Sequence, residues 1–168
     1  MGFDLSGVNP KMNMKMEEFP VYNKYNNMDW ADRMKKFDKD EELSSKYWEE
    51  LDKYQEANPG IYFRNNVWWW RPLWQFVCER LDDVLTEEDM ERGCYNDAHE
   101  ITEDKAIQIG VELTVMLESG RIKEYADRHT KEREQLDDDD WNKSYPFDVE
   151  NVENFAKFCL ESGGFQIC

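Results

Sequence analysis

Apolar residues recur at helical spacing along most of this chain. Leu43, Tyr47, Leu51 and Tyr54 stand at i, i+4, i+8 and i+11, one stripe of a helix from about Glu41 to Ala57. Asn58-Pro59-Gly60 stops it, because proline disfavours helix in the residue before it and glycine accepts left-handed angles. Trp30, Met34 and Phe37 share a face of a shorter helix for which Asp29 is the cap. Leu73, Phe76, Val77, Leu81 and Val84 predict a helix reaching about Leu85. Its start is set at Pro72, where a missing N–H does little harm. Thr86, with Asp89 three residues on, opens a short helix that Gly93 ends. Ala106, Ile109, Leu113, Met116 and Leu117 predict a buried stripe over about Thr102 to Ser119, closed by Gly120. Val152, Phe155, Ala156, Cys159 and Leu160 form the apolar face of a last helix, with Asp148 as N-cap.

The period changes to two at both ends. Phe3 and Leu5 alternate with polar neighbours, as do Phe165 and Ile167 after Gly163-Gly164. The two strands are predicted to pair, pinning both termini in one small sheet. Ile61 to Val67 reads as extended and residues 94–100 as a polar loop. Residues 8–28 show no period and read as an irregular arm. Residues 121–140 are highly charged and end in Asp137-Asp138-Asp139-Asp140, which predicts a solvated helix that frays at the acidic run, within a charged, partly solvated segment at 121–143. The fold expected is mainly α (α+β): a single domain, residues 1–168, of about five or six helices with a small sheet pairing the N- and C-terminal strands.

Composition narrows the function classes. Among 168 residues, 38 acids against 21 bases give a net charge of −17. That disfavours direct binding to nucleic acid or to an anionic membrane, which needs a basic footprint, and permits a basic protein partner. No membrane span and no leader are read from the sequence, which predicts a cytoplasmic protein. The cysteines, Cys78, Cys94, Cys159 and Cys168, include no C-x-x-C pair, so they are expected as reduced thiols without a zinc site. No cofactor is expected.

One stretch departs from the acidic background. Tyr62-Phe63-Arg64-Asn65-Asn66-Val67-Trp68-Trp69-Trp70-Arg71-Pro72-Leu73-Trp74 carries four of the seven tryptophans, two arginines and no acid. Together with Met1-Gly2-Phe3-Asp4, Tyr145-Pro146-Phe147-Asp148-Val149-Glu150-Asn151-Val152 and Ser162-Gly163-Gly164-Phe165-Gln166-Ile167-Cys168, it resembles an uncharacterised family of small bacteriophage and bacterial proteins. The resemblance covers both ends and the middle. It implies a phage or prophage origin, hence a host-cell cytoplasm, and brings no activity with it. Some similar sequences carry paired Cys-x-x-Cys elements before the Tyr-Pro-Phe segment; this chain has its charged stretch there, so no zinc site is carried over.

Arginines and asparagines interleaved with indoles can stack a planar group and hydrogen-bond its edges. Arg64 and Arg71 could clamp a phosphate or carboxylate, and a nucleotide-like ligand would fit. The candidate binding residues are therefore Arg64, Asn65, Asn66, Trp68, Trp70 and Arg71, with His99 added as a base or ligand near Cys94, Asp97 and Glu100. Against this stands plain packing: tryptophans in the core, arginines paired with acids, asparagines on backbone. Catalytic residues and a metal site are not assigned. The function expected is a phage accessory protein that binds a small molecule or host partner through this centre. The alternatives are an acidic inhibitor of a host nucleic-acid-binding protein, acting by charge mimicry, and a small enzyme using His99 with Arg64 and Arg71.

Overall fold

The central stretch changes conformation at Asn66. Up to that residue it is a strand; from Val67 it is a helix, and the Asn66 side chain accepts from the backbone N–H groups of Trp68 and Trp69 at 3.0 and 3.2 Å. The computed structural model describes residues 2–168. In chain order the elements are β1 (Gly2–Gly7), α1 (Pro20–Asn26), α2 (Trp30–Phe37), α3 (Glu41–Ala57), β2 (Tyr62–Asn66), α4 (Val67–Arg80), α5 (Glu87–Arg92), β3 (His99–Ile101), α6 (Glu103–Glu118), α7 (Arg121–Glu134), α8 (Val149–Glu161) and β4 (Phe165–Ile167). Single-turn 3-10 helices lie at Met16–Glu18 and Trp141–Ser144.

Residues 2–11 and Pro59–Cys168 form one compact unit, and Met12–Asn58 a second. In the first, four antiparallel strands lie in the order β2-β1-β4-β3. The termini pair as expected: Leu5 faces Ile167, and Asp4 and Cys168 exchange backbone bonds of 2.9 and 2.8 Å. β2 faces β1 with Phe63 opposite Leu5. The buried faces of the strands meet α4, α6, α7 and α8 in one apolar core, where Trp70, Trp74, Phe76, Phe155, Phe158 and Phe165 are the largest fully buried side chains beside Phe3. Trp70 stacks on Trp74 and Phe3, and its indole N–H donates to the Gly93 carbonyl at 2.8 Å. Gly93 has to be small, since a Cβ there would meet the Trp74 ring at about 2.1 Å. Three chain segments also cross at van der Waals distance, and Gly7, Gly60 and Gly163 make the crossing possible. A Cβ on Gly60 would lie 2.1 Å from the Glu161 carbonyl oxygen, and one on Gly7 the same distance from that of Gly60.

The second unit has its own aromatic cluster, Phe19, Tyr22, Phe37, Tyr47 and Tyr54. Asn58 is fully buried and satisfied: its side chain accepts from the Asn13 and Met14 N–H groups and donates to the Met14 and Tyr54 carbonyls. Glu50 of α3 caps α1, accepting from Val21 and Tyr22 N–H at 2.7 and 2.9 Å.

Several expectations need correction. The mainly α fold with a small sheet holding both terminal strands is the one expected; of its eight α-helices among the described residues, one (Pro20–Asn26) lies in the segment expected to be irregular. Glu50, an i-to-distant partner that no local pattern reveals, stabilises its start. The helix set at Pro72 begins five residues earlier. Pro72 sits buried inside α4, where its ring replaces an N–H that would have bonded Trp68. His99 and Glu100, the end of the stretch expected as loop, belong with Ile101 to the edge strand β3, too short to show alternation. No helix among the described residues is long and apolar enough to cross a membrane.

Candidate functional site

The polar residues of the central stretch separate into different roles. Asn65 is buried and donates to the Asn151 side chain at 3.0 Å, tying β2 to α8. Asn66 caps α4. Arg64 lies on the exposed side of β2 and pairs with Asp4 across the sheet at 3.5 Å. Trp70 is core. Arg71, one turn into α4, is exposed, and its Nη1 donates to the Tyr145 hydroxyl at 2.9 Å. Trp68 packs on Tyr145, with ring centroids 5.1 Å apart. Of the expected binding residues, the fold therefore gathers Arg71 and Trp68 at one place.

Arg71, with Tyr145 but without Trp68, lines a cleft of about 470 Å³ between α4, α7 and the turn at 141–145. Arg71, Pro72 and Gln75 form one wall. His129, Glu132, Arg133 and Leu136 form the second, and Asn142 and Tyr145 the rim. Pro72 and Leu136 make part of it apolar. Arg71 and Arg133 make no ion pair among the described residues, although Arg71 also lies over the Tyr145 ring. Arg133 instead donates from Nε and Nη2 to the Lys143 carbonyl, at 3.1 and 2.7 Å, and so holds the turn that carries Tyr145. His129 packs between Tyr125 and Phe147, and its Nδ1 is buried without a hydrogen-bond partner. Burial, then the neighbouring Arg133, lowers its pKa from the ordinary histidine value, with Glu132 opposing. Burial beside the Arg133 guanidinium thus favours the neutral imidazole.

The α7 wall is masked in the sequence by the charge of the helix. A face was present in the spacing: Ile122, Ala126, His129, Arg133 and Leu136 fall at i, i+4, i+7, i+11 and i+14, and the first two are core.

His99 is elsewhere. Its Nε2 lies 2.9 Å from Asp89 Oδ1, and Lys105 Nζ meets the other carboxylate oxygen. Thr86 donates to that oxygen from both its N–H and its hydroxyl, at 2.8 Å each. Burial pushes the Asp89 pKa up. The bonds from Lys105, Thr86 and His99 outweigh it and hold the carboxyl well below the usual range. Asp97, the expected neighbour, pairs with Arg92 through one carboxylate oxygen and accepts from the His99 backbone N–H at 3.2 Å with the other. Among the described residues no group of three or more His, Cys, Asp and Glu side chains is placed to hold a metal ion. The cysteines are free thiols; burial pushes Cys78 up to about 12 and Cys159 well above the ordinary thiol value, so neither is activated as a nucleophile. In the acidic run, Asp138 pairs with Lys143, and Asp140 caps the Trp141 turn.

Compared with protein-family models, curated proteins and solved structures, the chain finds no match, so the reading of the site rests on its geometry.

Proposed function

We propose that this protein acts by binding, and that the cleft beside Arg71 takes a small anionic ligand, a phosphate ester or a carboxylate. One observation carries the reading. In a chain with 38 acidic residues, two arginines line the same cleft and neither has a carboxylate partner there. A guanidinium presents a planar fork of donors that matches either anion. Gln75, Asn142 and the Tyr145 hydroxyl add neutral hydrogen-bonding groups, and Pro72 and Leu136 add apolar surface. This combination is the usual lining of a small-molecule site. His129, kept neutral, can offer one nitrogen without adding a charge that the buried wall would have to carry. The role of a phage-encoded accessory protein belongs to the same proposal and rests on the resemblance of the central and terminal motifs.

The charge-mimic reading draws on net charge alone. Its support weakens where exposed acids are matched by bases one helical turn away, as in Glu49–Lys53, Glu88–Arg92, Asp127–Lys123 and Glu153–Lys157. The enzyme reading needs His99 at the arginine cleft, and His99 is occupied by Asp89. A thermal-shift screen of phosphorylated and carboxylated metabolites tests the proposal, with Arg71→Ala and Arg64→Ala run beside the parent chain. A ligand bound only by the folded state raises the midpoint by mass action, about 2.7 kcal/mol at a hundredfold excess over Kd. The expected result is a shift lost in Arg71→Ala and retained in Arg64→Ala. A shift that survives Arg71→Ala contradicts the site. A flat screen combined with salt-sensitive capture of a basic protein favours the mimic.

A further inference from the structure

We infer that the ligand of this cleft carries a flat aromatic ring beside its anion, as a mononucleotide does, and that the ring stacks on Trp141. The inference rests on the cleft being the binding site. Trp141 is 73% exposed, the most exposed large apolar side chain in the described residues. One face of its indole lies on Trp68, nearly parallel at 11° with centroids 6.1 Å apart. Trp68 in turn packs on Tyr145, whose hydroxyl accepts from Arg71. A continuous line of rings therefore leads from the Arg71 guanidinium to a free indole at its end.

Packing alone does not explain that arrangement, since the Trp141 ring covers little and stays in water. The turn that bears it is nevertheless held from several sides. Asp140 Oδ1 accepts from Asn142 N–H at 2.8 Å, Arg133 grips the Lys143 carbonyl, and Lys143 Nζ donates to the Leu136 carbonyl at 3.1 Å. Arg133 thus both faces the cleft and fixes the turn. An indole fixed before the ligand arrives loses little freedom on stacking. Every nucleobase offers a π-face, so such a platform is tolerant of base identity. A mononucleotide also suits the net charge of −17 better than a nucleic acid does, because it brings one phosphate rather than a row of them.

The test is a calorimetric titration of the full chain with the four ribonucleoside 5′-monophosphates and with ribose 5-phosphate, which has the anion and no base. The variants are Trp141→Ala, Arg71→Ala and, as a control on another exposed indole, Trp30→Ala. At least one nucleotide is expected to bind about tenfold tighter than ribose 5-phosphate, the effect of one base–aromatic stack. Trp141→Ala should erase that tenfold difference and leave ribose 5-phosphate unchanged, Arg71→Ala should weaken both, and Trp30→Ala neither. The indole N–H resonance that disappears in Trp141→Ala should shift on titration with the nucleotide. If ribose 5-phosphate binds as tightly as every nucleotide, or if Trp141→Ala keeps the difference, the stack is wrong and the anion site stands. If none of the probes binds, the stack falls and with it the phosphate form of the cleft reading.

Discussion

Asp89 is a 3% exposed carboxylate that Thr86, His99 and Lys105 all reach. Breaking a buried charged network by removing one charge costs about 3–5 kcal/mol. Asp89→Asn is therefore expected to lower stability by about 3 kcal/mol in urea unfolding at pH 7. Its folded pKa lies below the ordinary value of 3.8, so its contribution is complete above that value and is lost as pH falls through the folded one. Asp89→Asn should flatten the acid limb of stability below about pH 4. His129 works in the same direction at higher pH. Its folded pKa lies below the ordinary 6.5, so the unfolded chain takes up its proton first, and stability falls as pH drops through that window. His129→Phe removes both the titration and the unpartnered Nδ1. The melting temperature of this variant should change less between pH 7.5 and pH 5 than that of the parent chain. An unchanged difference would show that His129 is solvated.

At the scale of elements, α4 joins the sheet to the site. Asn66 ends a strand and caps the helix, and Asn66→Ala should cost about 1 kcal/mol, read by chemical denaturation. Trp70→Ala leaves a large cavity and an unpaired Gly93 carbonyl, and should cost about 3–5 kcal/mol. The elements with both a period and a cap were legible in the sequence. α3 starts at Glu41 behind Asp40 and stops at Asn58, and α5 opens on the Thr86–Asp89 capping box. α4 was misplaced because proline is a strong start signal, whereas an asparagine inside a run of aromatics is a weak one. Only the strand pairing of Tyr62–Asn66 shows that Asn66 is the boundary. Half of the cleft was legible for the same reason. Arg71 stood out against the acidic background, but His129 and Arg133 belonged to a helix whose composition reads as solvent-facing. Their meeting with Arg71 is a long-range event that no local spacing reports.

At the scale of the whole molecule, β4 is the most exacting element of the unit that holds the cleft. It is bonded to β1 on one side and β3 on the other, and Phe165 and Ile167 are fully buried. Deleting residues 165–168 should abolish the cooperative melt of that unit and its near-ultraviolet tryptophan dichroism. A chain that kept both would show the sheet to be dispensable. The net charge of −17 acts at long range and the cleft at short range. Salt screens the long-range repulsion of an anion as well as its local attraction, so affinity in the cleft should change little between low and physiological salt. Binding by charge mimicry would fall steeply.

The most direct measurement follows the arginine Nε–H resonances of the full chain by nuclear magnetic resonance during titration with ribose 5-phosphate and, separately, with succinate. Binding in the cleft predicts that at least one of the two shifts Arg71 and Arg133 together, with one saturating curve, while Arg64 on the far strand stays in place. Arg71 and Arg133 unmoved by both, or Arg64 shifting along with them, would contradict it.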